Sequence, residues 1–385
     1  MKIAIVDPYY PAFLAATYRA SPELAQRPYA DQLQALLEAC FGTSDFYSRH
    51  LRSLGCDAID VIGNCMPLQA KWARDSGLRI STLMRVPAGI HRIPLLGRWL
   101  AGLPGLLDVA MAQVRSFKPD VLYCQNLSFF PPARLAALRD HVGLVVGQIA
   151  SPLPPPAYIA GYDLILTSFP HFVPRLRAMG VGSEYFRIGF DTRVLERIGT
   201  VAKDIDVSFV GGISRHHDKA VPLLEALARQ TPIQFFGYGA QSLDARSPIA
   251  GRHRGEAWGL DMYRTLARSR VTLNRHINVA ENHANNMRLY EATGTGAMLL
   301  TDDKDNLGEL FDVGREVVSY RTADEAVALI RHYSENPDEA AAIARAGQQR
   351  TLREHTYAKR MEELVPILSR WLASKGRTAT TRTAA

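Results

Sequence analysis

Residues 206–212, DVSFVGG, are typical of a buried strand that ends in a double-glycine turn, and a helical pattern follows over Asp218–Gln230. A strand, a glycine turn and a helix make the first half of a βαβ unit. An earlier alternation of short apolar runs and helical patterns starts at residue 2 and breaks off near residue 189. Because the pattern starts twice, we predict an α/β protein with two Rossmann-like domains, each built on a parallel sheet.

The length of 385 residues also favours two domains. We place the first over 1–190, the second over 191–360, a helix over 361–374 and a disordered tail, rich in Thr, Ala and Arg, over 375–385. One long helix is predicted at Tyr29–Leu54. The predicted strands are Lys2–Asp7, Ala58–Ile62, Val121–Gln125, Leu144–Ile149, Leu164–Thr167, Glu184–Ile188, 206–210, Ile233–Phe236, Val271–Asn274, Ala297–Thr301 and Glu316–Ser319.

Charge and cysteine content exclude several classes of protein. A formal charge of +7 suits phosphates, anionic glycans or a membrane surface. Like charges do not form blocks and aromatics do not alternate with basic residues, so we expect no nucleic-acid partner. The four cysteines (Cys40, Cys56, Cys65 and Cys124) form no Cys-x-x-Cys pair. We therefore expect buried thiols of a reduced cytoplasm and no metal site.

The chain carries no predicted signal peptide, since its first apolar run is a short strand. The apolar segment Ile93–Ala112 is interrupted by Arg98, Pro104 and Asp108, so it is not expected to span a bilayer. We expect it to line an acceptor cleft in a cytoplasmic protein. The alternative is an interfacial helix with neighbouring arginines on lipid phosphates, at the inner face of the membrane.

The turn after residue 210 is a candidate phosphate site. Gly211 and Gly212 allow close backbone approach, and the amides that open the next helix point toward a ligand. Arg215 and Lys219, four apart, are expected on one helical face beside it. These residues suit a diphosphate without metal. The alternative is an ordinary strand–turn–helix with a solvated basic face.

Residues 285–301, NNMRLYEATGTGAMLLT, form a second candidate site on a helix followed by a strand. Arg288 and Glu291 share one helical face, and a carboxylate at Glu291 accepts hydrogen bonds from the two hydroxyls of a ribose. We therefore expect Glu291 to face the cleft with the ligand as its partner. The alternative, a surface Arg–Glu pair, stabilises by less than about 1 kcal/mol.

The stretch from about Val271 to Pro366 resembles the C-terminal domain of CgeB-like glycosyltransferases and, in layout, the family 4 retaining enzymes with the GT-B fold. The residues that carry the resemblance are Leu273-Asn274, Asn286-x-Arg288-x-x-Glu291-Ala292-x-Gly294-x-Gly296, Leu299-Leu300-Thr301, Gly314-x-Glu316, Ala346-Gly347 and His355-Thr-Tyr-x-x-Arg360. The resemblance implies sugar transfer from a UDP- or GDP-linked donor, with retention and without cofactor or metal. It also implies a glycan, protein or lipid-linked acceptor on the first domain, and a last helix that returns to that domain.

Several site residues follow from the resemblance. Glu291 matches the glutamate that holds the donor ribose, and Asn286, Arg288 and Gly237 are assigned to the same donor site. The sugar-binding glutamate expected eight residues earlier is replaced by His283, so the donor sugar and the stereochemical outcome stay open. Arg215 and Lys219 match the diphosphate clamp, although they are four apart where the family has five.

Other assignments stay open at the level of sequence. If the enzyme inverts, a general base is required in the first domain, and Asp7, Asp31 and His171 are the candidates. Asp302-Asp303 is the one pair that suggests a metal, without other support. Two other functions remain: a sugar-nucleotide epimerase of the same fold, and a nucleotide- or glycan-binding protein with a decayed site. A dehydrogenase is disfavoured because Gly237-Tyr-Gly239 lacks the third glycine of the dinucleotide fingerprint.

Overall fold

The computed structural model describes residues 1–78, 104–213 and 221–383. The chain forms two compact units. The first holds Met1–Phe186 together with the residues from Met361 onward, and the second is Arg187–Arg360.

Within the described residues, the first unit is a parallel sheet of six strands with helices between them. The strand order is β2-β1-β3-β4-β5-β6. Its elements are β1 (Lys2–Val6), α1 (Pro11–Ala20), α2 (Tyr29–Glu38), α3 (Phe46–Ser53), β2 (Asp57–Val61), α4 (Met66–Asp75), α5 (Pro104–Phe117), β3 (Val121–Cys124), α6 (Pro132–Ala136), β4 (Leu144–Ile149), α7 (Pro156–Ile159), β5 (Leu164–Thr167), α8 (Phe172–Ala178) and β6 (Gly182–Tyr185).

The second unit repeats this architecture, with five strands in its described part. The order β11-β10-β9-β7-β8 is again parallel. Its elements are α9 (Arg193–Ile198), β7 (Ile205–Val210), α10 (Val221–Gln230), β8 (Gln234–Phe236), α11 (Gly259–Arg268), β9 (Ser269–Asn274), α12 (Met287–Gly294), β10 (Met298–Asp302), α13 (Leu307–Leu310), β11 (Val318–Tyr320), α14 (Ala323–Glu335), α15 (Pro337–Glu354) and the start of α16 (Tyr357–Thr383).

Both sheets have the strand order 2-1-3-4-5 at their centre, counted within each unit. The chain leaves the first strand to one side and later returns to the other, which opens a crevice at the carboxyl ends of the first and third strands. In the first unit this is the end of β1 and β3, and in the second it is the end of β7 and β9. The predicted fold class, α/β with two Rossmann-like domains, is confirmed.

The single helix predicted at Tyr29–Leu54 is wrong, because the structure breaks it into α2 and α3. Three residues between them, Cys40, Gly42 and Ser44, have positive φ angles of 53°, 58° and 46°. A left-handed backbone ends a right-handed helix. The break places Thr43 and Ser44 near the end of β1.

Only part of the apolar segment at Ile93–Ala112 can be described, since 79–103 lie outside the described residues. The described part begins α5, where Leu106 and Val109 pack against Met66 and Ala73 of α4. Among the helices that the structure describes, none is long and apolar enough to cross a membrane.

The last helix, α16, packs on the first unit from Met361 onward. Met361, Leu364 and Leu368 are fully buried. Farther along, Trp371 donates to Glu184 at 2.6 Å, and Lys375 pairs with Asp163 at 2.7 Å.

The disordered tail that we predicted from residue 375 is helical as far as Thr383, so that prediction is wrong for 375–383. Residues 384–385 lie outside the described range.

Ending the chain at Arg360 should give aggregated protein, because it uncovers the surface that Met361, Leu364 and Leu368 fill. Each such core deletion costs about 2–5 kcal/mol, and a domain has only about 5–15 kcal/mol in total. Ending the chain at Ser374 keeps these three core residues, removes one ion pair, Lys375–Asp163, and should leave the melting temperature within a few degrees. Size-exclusion chromatography and thermal melts of the two truncations test this, and a monomeric chain ending at Arg360 would contradict it.

Candidate functional site

Three predicted site glycines meet at the carboxyl end of β7. Gly211 donates its amide to Phe236 at 2.9 Å, and Ile213 donates to Tyr238 at 2.8 Å, so the turns after β7 and β8 lie side by side. Gly237 has φ +146°, and a Cβ there would lie 1.9 Å from the carbonyl oxygen of Gly211. Position 237 therefore requires glycine because the two turns pack closely against each other.

Gly212 has a similar local reason. A Cβ at this position would lie 2.8 Å from the Tyr238 ring, which stacks on Trp258 with ring centroids 5.4 Å apart. The half-buried aromatic pair therefore lies beside the turn that ends β7. Arg215 and Lys219, the predicted diphosphate clamp, follow this turn in the chain but lie outside the described residues.

Asn286 is fixed by the protein as the N-cap of α12. Its side-chain oxygen accepts the amide of Leu289 at 3.2 Å, which satisfies one of the helix's open donors. The Asn286 amide donates to Asn274 at 2.9 Å, and Asn274 donates to Asn286 at 3.3 Å and to Thr301 at 3.0 Å. The starts of α12 and the ends of β9 and β10 are thus joined through side chains.

Arg288 and Glu291 form an ion pair on α12, with Nη1 and Oε2 2.8 Å apart. Glu291 is only 4% exposed, and the hydroxyl of Tyr263 donates to its Oε1 at 3.5 Å. Burial raises the pKa of Glu291, while Arg288 and Tyr263 oppose that shift. The alternative of a surface Arg–Glu pair is wrong, because the pair is buried where α12 faces α11. The expectation that Glu291 has no protein partner is also wrong, and its role toward a ligand stays a prediction.

One N–H donor of the ion pair, Nη1 of Arg288, lacks a well-aligned hydrogen-bond acceptor in the described part of the chain. Nη1 of Arg288 is buried and has no hydrogen-bond acceptor of good geometry among the described residues, although it lies close to the carboxylate. A buried donor without an aligned acceptor is costly. A ligand oxygen at this face of α12 would satisfy it.

His283 lies in a turn that is held by hydrogen bonds from Lys304 and Asn306 to the residues around it. Its amide donates to Ala280 at 3.0 Å. Nearby, Lys304 donates to the Glu281 carbonyl at 2.8 Å, and Asn306 both accepts from the Ala284 amide and donates to the Ala284 carbonyl. Glu281 has a positive φ of 51°, a strained conformation for a residue other than glycine. The half-buried His283 is therefore presented by a fixed loop just before α12.

Sequence reasoning missed His276, two residues beyond β9. Its Nδ1 lies 2.7 Å from Oδ1 of Asp302, which also accepts the His276 amide at 3.0 Å. The hydrogen bond and charge of His276 hold the pKa of Asp302 below its usual range against the effect of burial. The other carboxylate of the suspected metal pair, Asp303, accepts from Arg321 at 2.8 Å. The sequence did contain a signal for this contact. His276 is a histidine just after β9, and the carboxyl end of β9 borders the crevice.

The first unit has a polar cluster at the corresponding edge of its sheet. Asp7 follows β1, and Asp60 lies on β2 opposite Ile5, so the two carboxyls are on the same face of the sheet. Ser48 donates to Asp60, and Thr43 donates to Asp7 at 3.5 Å. Asp7 is partly accessible to solvent, but protein atoms surround its carboxyl closely. Burial, and then the neighbouring Asp60, raise the pKa of Asp7 to about 7.

The pKa of Asp60 is raised to about 7 as well, mainly by burial and further by Asp45, whereas Ser48 and the more distant Arg52 oppose the shift. Asp60 is 9% exposed. Its Oδ1 has no hydrogen-bond partner within the described parts of the chain. Near neutral pH the two carboxyls therefore hold a proton that isolated carboxyls would have lost.

The other base candidates are not part of this cluster. His171 is the residue before α8 and lies between the rings of Phe169 and Phe172, with centroids 5.5 Å and 4.9 Å away. Asp31 is exposed on the first turn of α2. Of the three candidates, Asp7 alone lies at the crevice between β1 and β3.

The second unit resembles a known protein family. Residues 215–366 match a family model described as glycosyl transferase-like. The match covers the clamp residues, α12 and the motif residues up to α16. This part of the chain is therefore similar to glycosyltransferases, and the fold of the whole chain is the GT-B fold. A search of curated proteins finds no matching sequence.

Solved structures show the same fold over nearly the whole length of the chain. The HepE protein of Anabaena, in complex with UDP and glucose, has a TM-score of 0.56 at 14% identity and covers 96% of this chain and 99% of its own. AviGT4, a glycosyltransferase of avilamycin A biosynthesis, has a TM-score of 0.55 at 16% identity, covering 97% and 98%. The sucrose-phosphate synthase of Thermosynechococcus elongatus has a TM-score of 0.56 at 11% identity, covering 97% and 100%.

Several residues of the motif that carries the family resemblance serve packing. A Cβ at Gly294 would lie 2.5 Å from the Phe190 ring, and a Cβ at Gly347 would lie 2.3 Å from the Glu316 carbonyl. His355 is buried and its Nε2 lies 2.8 Å from the Leu310 carbonyl oxygen. These residues hold α12 and α15 in place, and their contacts are explained by packing within the protein.

Replacing Glu291 with alanine should lower the free energy of unfolding by about 3–5 kcal/mol, because it leaves Arg288 buried without its counter-charge. Arg288→Ala should do the same to Glu291, and the double variant should lose less than the sum of the two. The exposed pair Asp261 and Arg264 on α11 is the matched control, and breaking it should cost under about 1 kcal/mol. Denaturant titration measures all four variants. A loss for Glu291→Ala no larger than for Asp261→Ala would show that the buried pair is absent.

The polar cluster should make stability fall as pH rises. Asp7 and Asp60 have pKa values near 7 in the folded protein and near 3.8 when unfolded. Between these values the two carboxyls bind more protons in the folded state, so the stabilisation that they contribute is greatest below about pH 4 and declines up to about pH 7. Asp60→Asn removes one carboxyl and the repulsion on the other, and should flatten this decline.

Denaturant titrations at pH 5 and pH 8 check the sign. Asp57→Asn, at the exposed start of the same strand, is the control and should keep the wild-type dependence. Equal pH dependence in Asp60→Asn and wild type would contradict the assignment of shared protons to this cluster.

Proposed function

We propose that this enzyme transfers a hexose from a nucleoside-diphosphate sugar, UDP-linked in the first instance, to a hydroxyl of a glycan, protein or lipid-linked acceptor. The observation that carries the proposal is the anchored start of α12, where Asn274 and Asn286 fix the helix that bears Arg288 and Glu291 at the carboxyl edge of the sheet. In open α/β sheets this edge is where ligands bind. The similar HepE structures contain UDP, UDP-glucose or UDP with glucose.

Each residue of the proposed donor site has a chemical role. Glu291 accepts hydrogen bonds from the ribose hydroxyls while Arg288 keeps it ionised. Nη1 of Arg288, which lacks an aligned acceptor in the described chain, donates to a ligand oxygen. Arg215 and Lys219 bind the diphosphate and stabilise the negative charge that develops on it as the sugar–phosphate bond breaks. His283 contacts the sugar hydroxyls from the clamped loop.

We also propose that the reaction needs no metal. Two cationic side chains and the amides after β7 supply the charge that a divalent ion would otherwise bring to the leaving diphosphate. Asp302 and Asp303, which could suggest a metal site, are bonded to His276, Lys304 and Arg321. Their carboxylates are therefore committed to protein partners.

The finer assignments rest on the resemblance of the sequence. We assign the enzyme to the CgeB-like group, with retention of configuration and a cytoplasmic location that extends to the inner face of the membrane if residues 93–112 contact lipid. His283, which replaces the expected glutamate, leaves the donor sugar to be found by experiment. Retention is tested by determining the anomeric configuration of the product by NMR.

UDP should raise the melting temperature of the wild-type enzyme, and EDTA should not reverse the rise. A ligand at one hundred times its dissociation constant stabilises the folded state by about 2.7 kcal/mol. Arg215→Ala and Lys219→Ala should each weaken UDP binding by about tenfold or more, since a hydrogen bond to a charged group is worth about 1.5–3 kcal/mol. Arg229→Ala, on the exposed end of α10, is the control and should bind UDP normally.

Differential scanning fluorimetry and calorimetric titration make these measurements. A melting shift that EDTA abolishes would contradict the metal-free site, and equal affinity in Lys219→Ala and Arg229→Ala would contradict the clamp. Conversion of UDP-glucose to a second sugar nucleotide without any acceptor would instead indicate an epimerase.

A further inference from the structure

The second unit contains a cavity of about 330 Å³ at the carboxyl ends of β9, β10 and β11. This volume is at the lower end of the range for small-molecule sites. Polar side chains at or just past the ends of the three strands line it, together with the start of α14 and the apolar Pro222 and Leu223 of α10. The described residues that line the cavity include none of those assigned to the donor site, so the cavity needs a separate explanation.

A half-buried cation, Arg275, lines the cavity directly after β9. Its guanidinium donates to the side-chain oxygen of Asn278, a neutral partner, at 3.2 Å. Across the residues that the structure describes, Arg275 forms no ion pair. A charge removed from water is costly unless an opposite charge accompanies it, and the planar guanidinium matches two oxygens of a phosphate. Arg275 therefore indicates an anionic group on the ligand.

A second guanidinium, that of Arg321, lies at the rim of the same cavity, where its side chain is 79% exposed. Its Nε donates to Asp303 at 2.8 Å, whereas its Nη atoms bond to no side chain or carbonyl in the described ranges. Those Nη donors are therefore available to a ligand. Arginines on two sides of one cavity can donate to the same anionic group.

The start of α14 adds a donor of the same kind. Thr322 caps this helix by accepting the Glu325 amide at 3.1 Å, and Ala323 follows it; both line the cavity. The amide of Ala323, in the first turn, has no partner inside the helix. The acidic side chains of this turn, Asp324 and Glu325, are exposed and are not among the described lining residues. The helix end thus favours the anionic group that the two arginines indicate.

Asp302 makes the cavity more than a basic pocket. Nδ1 of His276 lies 2.7 Å from its Oδ1, and Lys304 lies 3.3 Å from its Oδ2. Against the effect of burial, His276 and Lys304 hold the pKa of Asp302 below its usual range, so the carboxyl stays ionised. An ionised carboxylate repels a bare phosphate but accepts a hydrogen bond from a hydroxyl. A ligand that carries both a phosphate and hydroxyls therefore fits this lining better than an inorganic anion.

His276 is a further sign of an incomplete polar arrangement beside the cavity. It is 3% exposed, follows Arg275 in the chain and bonds to Asp302, and both of these residues line the cavity. Its Nε2 has no hydrogen-bond partner within the part of the chain that the structure describes. Buried polar atoms are nearly always paired with protein, water or ligand. The unpaired nitrogen is consistent with a polar ligand at this edge of the sheet.

We propose that this cavity binds a small sugar phosphate, at a second site separate from the donor site. Arg275 and Arg321 donate to the phosphate oxygens, and Asp302 accepts from a sugar hydroxyl. The C–H groups of the sugar ring pack on Pro222 and Leu223. The site does not depend on the transfer reaction, and it binds its ligand whether or not UDP is present.

Calorimetric titration of the full-length protein tests this site. The probes are glucose 1-phosphate, glucose 6-phosphate, inorganic phosphate and glucose, each titrated with and without saturating UDP. Wild type should bind at least one sugar phosphate, more tightly than it binds inorganic phosphate or glucose, and equally well with UDP present. Arg275→Ala and Arg321→Ala should each weaken this binding by about tenfold or more, because charge-assisted hydrogen bonds are lost. Arg315→Ala, an exposed arginine of the same unit, is the control and should bind as wild type.

Asp302→Asn separates the two parts of the ligand. It should weaken binding of the sugar phosphate and leave binding of inorganic phosphate unchanged or stronger, because the variant removes a negative charge. Melting temperatures of all variants show that they are folded, and Arg321→Ala, at an exposed position, should melt as wild type.

Three results would overturn the site. They are no binding of either sugar phosphate to wild type, undiminished binding in both Arg275→Ala and Arg321→Ala, and inorganic phosphate binding as tightly as the sugar phosphates. Binding that UDP abolishes would place the sugar phosphate in the donor site and would overturn the proposal as well. A wild-type protein that binds a sugar phosphate but not UDP would count against the proposed transfer function and not against this cavity.

Discussion

The reciprocal hydrogen bonds between Asn274 and Asn286 are the contact on which the second unit depends. They join the end of β9 to the first turn of α12, and Asn286 at the same time caps that helix. The direction of α12 then determines which face carries Arg288 and Glu291. Because Thr301 also bonds to Asn274, the end of β10 belongs to the same arrangement. Backbone hydrogen bonds fix the positions of the strands in the sheet, and these side chains fix the position of α12 relative to the strands.

The two units place different chemistry at the same topological position. In the second unit the crevice between β7 and β9 is bordered by glycines, asparagines and an Arg–Glu pair, which suits an anionic nucleotide. In the first unit the crevice between β1 and β3 is bordered by the carboxyls of Asp7 and Asp60. A repeated fold thus carries different side chains after its strands in the two units.

The alternation of apolar runs was sufficient to predict the parallel strands, because buried strands of such sheets are nearly continuous in hydrophobicity. It could not predict the break between α2 and α3, where Cys40 and Ser44 adopt left-handed conformations that their residue types rarely take. The motif around Glu291 was found from sequence, and its pairing with Arg288 was the alternative considered there, but its burial and its second partner, Tyr263, were not found. Tyr263 lies far from Glu291 in the chain, and its contact depends on how α11 packs.

The sequence alone also could not separate glycines required by packing from glycines required by a ligand. Gly237 looked like a ligand-binding residue, but the carbonyl of Gly211 occupies the space that a side chain would need. The Asp7–Asp60 cluster was only half visible, since Asp7 follows a strand while Asp60 lies within one. Pairing of β1 with β2 brings the two carboxyls to one face, and that register cannot be read from either strand alone.

Hydrogen–deuterium exchange with and without UDP tests the central claim, that the carboxyl edge of the second sheet binds the donor nucleotide. Amides of residues 210–213 and of the first turn of α12, which border this edge, should exchange more slowly when UDP is bound. Amides of β1 and β2 in the first unit should be unaffected. Protection confined to the first unit, or no change at either edge at saturating UDP, would contradict the account.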